Sequence, residues 1–284
     1  MVKRKLFGNG EAISCIGMIH LLPLPGSPEF ARIESLEKVI GRCTTELEIY
    51  LRTGVHGVII ENYGDAPFYP GQVHPETVAS MTRVISESMN RIGEKLDDSF
   101  ILGVNVLRND AKAAIAIAHA IGADFIRLNI HDGVQATDQG FISGMAHETL
   151  RYRASLGATE VRICADVRVK HATPIHQRSI MQECKDLVER GRVDGGLIFT
   201  GSRTGTMPSK DVLKTMGGIK HDFPEIPLLV GSGVTAGNII KIVDITGNAL
   251  DGVIVGTAFK KNGNVGAIVD ENRVKTLLKK LNRY

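Results

Sequence analysis

Residues 228–238 have the sequence LLVGSGVTAGN, which combines a short apolar run, a glycine-containing loop and a predicted helix start. An apolar run without polar alternation is typical of a strand that is covered on both faces, as in a parallel sheet. Glycines after such a strand let the backbone approach an anion, and the free amides of a following helix supply hydrogen-bond donors. The segment therefore predicts one β/α unit, in which Thr235 caps the helix.

Similar apolar runs recur along the chain, and segments with helical spacing of apolar residues separate them. The eight predicted strands are residues 14–21, 57–62, 101–107, 125–129, 161–169, 195–200, 228–233 and 252–259. Eight β/α units in 284 residues, with no break in composition, predict one α/β domain over residues 1–284, a single (β/α)8 TIM barrel over about 13–281. An open doubly wound sheet is the alternative.

Composition and charge exclude several classes of protein. The net charge is +3, from 34 basic and 31 acidic residues, and the chain has no Trp, so neither a basic footprint nor stacking platforms for nucleic acid are predicted. No run reaches the ~18 apolar residues of a membrane helix. The basic start is separated by residues 8–11 from an apolar stretch that contains His20 and Pro23, which argues against a signal peptide. The four Cys form no C-x-x-C pair, and the sequence predicts a reduced, cytoplasmic protein.

The loops after the predicted strands are long and polar or rich in Gly and Pro, whereas the segments before the strands are short. The long loops are residues 22–30, 63–75, 131–144, 170–177 and 201–209. In parallel α/β folds the carboxyl ends of the strands carry the chemistry. We therefore expect the functional site at that end of the barrel.

Five motifs together are distinctive, and they lie at or after predicted strands. They are GMIHLLPLPGSP (17–28), ENYGDAPF (61–68), ADVRVKH (165–171), GSGV (231–234) and VGTAFK (255–260). With them the chain resembles the BtpA family, which includes SgcQ-like proteins. The resemblance implies a TIM barrel akin to the ribulose-phosphate-binding barrels. The family takes its name from a cyanobacterial member needed for photosystem I biogenesis. The resemblance to this family implies no particular reaction.

Two glycine loops predict a phosphate site. In barrels of this kind the phosphate commonly binds to the loops after the seventh and eighth strands. The predicted phosphate-binding residues are Gly231, Ser232, Gly233, Gly256 and Thr257. The alternative is that these glycines only form tight turns.

Polar side chains stand at the ends of other predicted strands. Since side chains alternate between the two faces of a strand, these groups converge above the barrel if their faces point inward. They are His20, Glu61, Asn105, Arg127, Asn129 and Asp166. We predict Glu61 and Asp166 as a proton-transferring pair, and a structural salt bridge with Arg127 is the alternative.

The remaining predicted site residues follow from position. Lys170 and His20 are predicted catalytic groups that polarise the substrate. Asn105, Asn129, Arg127 and Thr200 are predicted to bind substrate. A lysine-imine mechanism is disfavoured because residues 195–200 contain no lysine.

A metal site is the competing interpretation. His20, Glu61 and Asp166, together with His131 or His171, have side chains that coordinate divalent ions. The chain has no H-x-H in its first strand and no H-E-x-x-H motif, so we predict neither a metal nor another cofactor.

Three functions remain from the sequence. The first is an enzyme that acts on a small sugar- or nucleoside-type phosphate by acid–base chemistry, as an isomerase, epimerase or lyase. The second is a non-catalytic assembly or stability factor, which requires an exposed apolar patch. The third is a metal-dependent hydrolase. The predicted partners are a small phosphorylated substrate and a second copy of the chain.

Overall fold

The computed structural model describes residues 6–8 and 12–282. The predicted domain covers residues 1–284, of which residues 1–5, 9–11 and 283–284 lie outside the described residues. Most of the amino-terminal residues on which the argument against a signal peptide depends also lie outside them. The strands are β1 (Ser14–His20), β2 (Gly57–Glu61), β3 (Ile101–Asn105), β4 (Phe125–Leu128), β5 (Val134–Thr137), β6 (Gly140–Ser143), β7 (Arg162–Val167), β8 (Ala172–Pro174), β9 (Gly196–Phe199), β10 (Leu228–Val230) and β11 (Gly252–Val255). The helices are α1 (Leu36–Thr53), α2 (Pro75–Ile92), α3 (Ala111–Ile121), α4 (Ala146–Ser155), α5 (Ile180–Lys185), α6 (Lys210–Asp222), α7 (Ile239–Thr246) and α8 (Glu271–Leu281).

Eight parallel strands close into a barrel in the order β1-β2-β3-β4-β7-β9-β10-β11. The predicted (β/α)8 fold is confirmed, and the open-sheet alternative is wrong. Each barrel strand ends earlier than the apolar run that predicted it. The reason is that the last residues of these runs leave the ladder and turn into the loops that surround the barrel mouth.

The other three strands form a small antiparallel sheet in the order β6-β5-β8. The sequence predicts plain loops at 131–144 and 170–177, and this prediction is wrong. β5 pairs with β6 across a tight turn, and β8 joins from the loop after β7, for example through Ala136 opposite Thr173. One face packs Ile142 against Ile130 and Val169, whereas Phe141 on the other face is 74% exposed.

Two apolar cores hold the barrel together. The larger core lies between the strands and the helices, and it includes the buried Cys43 and Cys184. The smaller core fills the barrel itself with Ile16, Ile59, Phe125, Cys164 and similar residues. Because side chains alternate along a strand, the residues two positions beyond these fillers also point inward, toward the barrel mouth.

Local sequence explains where the elements begin and how the barrel closes at its base. Ser35 and Asp110 accept hydrogen bonds from amides in the first turns of α1 and α3.

Phe7 packs edge-on against Phe125 with 5.4 Å between ring centroids, which closes the amino-terminal end of the barrel. The ring of Phe125 requires glycine at position 103, because a Cβ there would lie 2.3 Å from its Cζ.

Candidate functional site

A cavity of about 560 Å³ opens at the carboxyl ends of the barrel strands. Its walls come from the ends of β1, β2 and β4, the loops after β7, β9, β10 and β11, and the first turns of α8. All five predicted phosphate-binding residues line it, and so do His20, Glu61, Lys170 and Arg127. Asp166, Asn105, Asn129 and Thr200 do not line it. The cavity therefore brings together most, but not all, of the predicted site residues.

The loop after β10 presents free backbone amides to this cavity. Within the part of the chain that the structure describes, the amides of Ser232, Gly233 and Val234 donate to no protein group. Gly233 has a φ of +64°, and a Cβ there would lie 2.1 Å from the amide nitrogen of Met207. Side chains other than glycine are strained in this conformation. Glycine at position 233 is therefore what allows the loop to take this conformation against Met207.

The regular helix after this loop begins a few residues later than the sequence predicts, because a turn comes first. Helix α7 begins at Ile239, and Asn238 precedes it. Thr235 caps the turn that precedes α7 rather than the helix itself, because its Oγ1 accepts from the amide of Gly237 and its carbonyl oxygen accepts from the amides of Asn238 and Ile239. The donors at this site are therefore the amides of the loop itself rather than the end of a helix dipole.

The loop after β11 faces the same cavity. Thr257 begins a short 3-10 turn, Thr257–Phe259, and the amides of Thr257 and Ala258 donate to no group among the described residues. A Cβ at Gly256 would lie 3.2 Å from His20 Cε1, so the backbone comes close to that ring. Two sets of free amides thus border one cavity, which is the arrangement that binds phosphate in many barrels.

Glu61 ends β2 and points into the cavity. It is 7% exposed, and its Oε2 accepts a hydrogen bond of 2.5 Å from Asn105 Nδ2. Its Oε1 lies 3.8 Å from His20 Nε2, which is too long for a hydrogen bond. One oxygen is therefore fixed by Asn105, and the other is available to a bound molecule.

His20 is a neutral imidazole beside Glu61. Burial, and then the positive charges of Lys260 and Lys170, hold the pKa of His20 well below its ordinary value. The ring packs against that of Tyr63, tilted by 34° and with 4.7 Å between centroids. Its Nδ1 is buried and has no hydrogen-bond partner among the described residues. A bound ligand is one source of that missing partner.

Asp166 forms the structural salt bridge with Arg127, which the sequence analysis gave as the alternative to a role in proton transfer. Its two carboxylate oxygens accept from Arg127 Nε at 2.9 Å and Arg127 Nη2 at 3.0 Å, and Oδ2 also accepts from Asn129 Nδ2 at 2.9 Å. The side chain of Asp166 is 0% exposed. A carboxylate with both oxygens engaged and no access to the cavity has no free position for a substrate proton.

Thr200 and Asn129 are likewise engaged within the protein. Thr200 Oγ1 donates to the carbonyl oxygen of Arg168 at 2.8 Å, which ties the end of β9 to the loop after β7. Asn129 holds Asp166 and keeps its Oδ1 buried without a partner among the described residues. Both residues stabilise the barrel mouth from behind rather than line the cavity.

Lys170 lines the cavity and, in the described parts of the chain, has no counter-charge in direct contact. Among the described residues, no carboxylate lies within salt-bridge distance of its Nζ. Burial, and then the charge of Arg127, lower the pKa of Lys170, while Glu61 and Asp166 act in the opposite direction. Its backbone carbonyl accepts from Arg108 Nη2 at 2.7 Å, which fixes the start of this loop.

Several residues that line the cavity are not among the individually predicted site residues. Tyr63 and Thr204 line it from two of the long loops that the sequence analysis assigns to this end of the barrel. Asp270, Arg273 and Thr276 line it from the first turns of α8. The helical spacing of Val274, Leu277, Leu278 and Leu281 predicts the buried face of that helix correctly, yet it does not indicate that the neighbouring polar side chains border a cavity.

Metal binding by side chains requires several ligands close together. In residues 6–8 and 12–282 no three His, Cys, Asp or Glu side chains are grouped so as to hold a metal ion.

None of the described helices combines the length and the apolar character that crossing a membrane requires.

The chain is similar to other proteins along nearly its whole length. The profile of the BtpA family matches residues 12–283. The photosystem I biogenesis protein BtpA of Synechocystis sp. is 40% identical over 263 residues, which cover 93% of this chain and 86% of that protein. An uncharacterized protein of Pyrococcus furiosus is 39% identical over 267 residues, 94% of each chain.

Among solved structures, phosphoribosyl anthranilate isomerase from Thermotoga maritima superimposes with a TM-score of 0.57. The superposition covers 96% of this chain and 100% of that one, at 11% sequence identity. At this identity the likeness shows the barrel fold alone.

Proposed function

The chain belongs to the BtpA family, and on that premise we propose that it is an enzyme acting on a small phosphorylated metabolite by acid–base chemistry. The observation that carries the proposal is the shared cavity. Free amides of the two glycine loops border the same space as the carboxylate of Glu61 and the ammonium group of Lys170. A phosphate held by the amides would place the rest of the metabolite beside these two side chains.

The proposed roles follow from what each group touches. Glu61 carries the proton, because its carboxylate lines the cavity near Lys170 and has one oxygen that no described group bonds. Lys170 stabilises negative charge that develops on a substrate oxygen when the proton leaves carbon. His20, neutral because of its burial, donates or accepts one hydrogen bond. Asp166 holds the guanidinium of Arg127 in place and is a positioning residue.

Gly233→Ala is expected to weaken binding of inorganic phosphate by about tenfold or more, because a left-handed backbone costs non-glycine residues roughly 1–2 kcal/mol. The new Cβ would also approach the Met207 amide nitrogen to 2.1 Å, so the loop must shift. Calorimetric titration with inorganic phosphate and with ribose 5-phosphate measures the change.

Gly217→Ala is the matched control. Gly217 lies in α6, and a Cβ added there would meet no atom within 4 Å, so this variant keeps full phosphate affinity. Absence of phosphate binding in the natural protein, or equal affinity in Gly233→Ala, would overturn the proposed phosphate site.

A second candidate function, a non-catalytic assembly factor, is favoured by one specific observation. The outer face of the small sheet exposes Phe141 at 74%, Ile175 at 57% and Val134 at 39%. Val134 and Phe141 share a face because Phe141 lies directly opposite Ala136, and Val134 is two residues before Ala136 on the same strand. Exposed apolar patches commonly mark protein interfaces, and the Synechocystis relative is named for photosystem I biogenesis.

Phe141→Lys separates the two functions when it is compared with Glu61→Gln. We expect Phe141→Lys to change the unfolding free energy by less than about 0.5 kcal/mol, as exposed substitutions do. In cells whose own copy is deleted, an assembly factor requires Phe141 and tolerates Glu61→Gln. An enzyme gives the reverse pattern, and complementation by the two variants measures which pattern holds.

A further inference from the structure

The cavity does not end at the glycine loops. We call the part bordered by Glu61, Arg127 and Lys170 the inner half, and the part bordered by residues 235–237 and by Asp270, Arg273 and Thr276 the outer half. The two halves are one continuous space of about 560 Å³. That volume is in the range of sites for drug-sized ligands, roughly 300–1,000 Å³.

The loop after β11 contacts residues of both halves. On the inner side, the loop after β11 approaches His20, as the 3.2 Å from a Cβ at Gly256 to His20 Cε1 shows. On the outer side, Arg273 Nη1 donates to the carbonyl oxygen of Ala258 at 3.3 Å. A phosphate bound to the amides of Thr257 and Ala258 would therefore lie near residues of both halves.

The outer half has its own chemistry. Arg273 is exposed, and no carboxylate among the described residues forms a salt bridge with it. Asp270 Oδ1 caps α8 by accepting from the amides of Asn272 and Arg273. Its Oδ2 accepts from no group that the structure describes. The N-terminus of α8 is thus already capped by Asp270. Among the described residues, the outer half offers the free carboxylate oxygen of Asp270 and the unpaired guanidinium of Arg273. It also offers a hydroxyl group from Thr276 and an apolar surface from Leu277.

These groups fit a nucleoside. A carboxylate oxygen at this position suits the vicinal hydroxyls of a ribose, as in dinucleotide sites. A guanidinium plane without a carboxylate partner stacks on aromatic rings such as a base. A simple phosphate monoester has only one organic group, which would occupy the inner half and leave the outer half filled with water.

We propose that the ligand is a nucleoside diphosphate-linked metabolite, whose phosphates bind the glycine-loop amides, whose reacting group enters the inner half and whose nucleoside occupies the outer half. The inference rests on the proposed function, because it uses the same phosphate site. It adds the class of substrate and a binding site on α8.

The test compares two probes that share a head group. Ribose 5-phosphate and ADP-ribose differ by the adenylate portion, so their affinity ratio reports on the outer half. We expect ADP-ribose to bind more tightly by about tenfold or more, measured by calorimetry on the full chain. Thr276→Trp fills the outer half, and it should remove this preference while the affinity for ribose 5-phosphate stays the same.

Lys279→Trp is the matched control, since Lys279 is exposed on the same helix and does not line the cavity. It should leave both affinities unchanged. The inference is overturned if ADP-ribose binds no more tightly than ribose 5-phosphate, or if Thr276→Trp weakens both probes equally. If inorganic phosphate itself does not bind, or binds equally to Gly233→Ala, the proposed phosphate site fails and the inference fails with it.

Discussion

Asp166→Asn is expected to lower the free energy of unfolding by about 3–5 kcal/mol, the usual cost of removing one partner from a buried ion pair. The substitution preserves shape but leaves the guanidinium of Arg127, which is 2% exposed, without its counter-charge. It also places an amide nitrogen where one of the two hydrogen bonds from Arg127 ended. Urea denaturation at neutral pH, followed by circular dichroism, measures the loss.

Glu61→Gln is the matched comparison at the same end of the barrel. The glutamine oxygen can still accept the hydrogen bond from Asn105 Nδ2, and no described cation loses a paired carboxylate. We therefore expect a change in unfolding free energy below about 1 kcal/mol, the scale of one neutral hydrogen bond. Equal destabilisation by the two variants would contradict the distinction between Glu61 as proton carrier and Asp166 as positioning residue.

A double variant checks the cause. Arg127→Met with Asp166→Leu removes both charges, and buried pairs replaced by apolar residues of similar volume are often neutral or more stable. Recovery of most of the lost stability would attribute the effect of Asp166→Asn to the unpaired charge of Arg127. Additive losses in the double variant would attribute it to packing instead.

The barrel strands could be predicted from the sequence because each is a continuous apolar run. The runs at 57–62 and 101–107 correspond to β2 and β3, and only their ends differ. The ends differ for a physical reason. Asn62 leaves the strand so that its Oδ1 can accept from the amide of Leu107, a contact between two loops that no local pattern reveals.

The small sheet could not be predicted in the same way. β5 and β6 are short and half-exposed, so they lack a continuous apolar run. Their third partner, β8, comes from a loop more than thirty residues further along, and its pairing through Ala136 and Thr173 depends on the closed barrel. Strand pairing between distant segments depends on tertiary structure more than on local propensity.

The candidate site, like the fold, could be predicted from the sequence only in part. Alternation along the strands correctly predicts that Glu61 and Asp166 point inward, since Ile59 and Cys164 two positions earlier fill the barrel. Alternation does not predict which carboxylate pairs with Arg127. The pairing depends on the register between β4 and β7, in which Arg127 lies opposite Cys164. Asp166, two residues beyond Cys164, therefore stands one side-chain layer above Arg127.

Lys260→Met is expected to lower the unfolding free energy by about 3–5 kcal/mol, because it removes the buried one of the two cations that pair with Glu46 and leaves Glu46 Oε2 without its partner. Lys260 Nζ donates to Glu46 Oε2 at 2.6 Å, and both side chains are 0% exposed. The pair joins α1 to the segment that follows the Thr257–Phe259 turn, so it also holds the second glycine loop in position. Thermal and urea denaturation measure the loss of stability.

A second readout separates the charge of Lys260 from its packing. That charge contributes to the low pKa of His20, so the pKa of His20 should rise in Lys260→Met, as followed by NMR of the imidazole. Glu46→Leu with Lys260→Met removes both buried charges, and it should restore most of the stability while the pKa of His20 stays higher than in the natural protein. A stable Lys260→Met single variant would show that Arg42, which donates to Glu46 Oε1 at 2.8 Å, suffices as the cation for Glu46. In that case the link between α1 and the phosphate loop would not depend on Lys260.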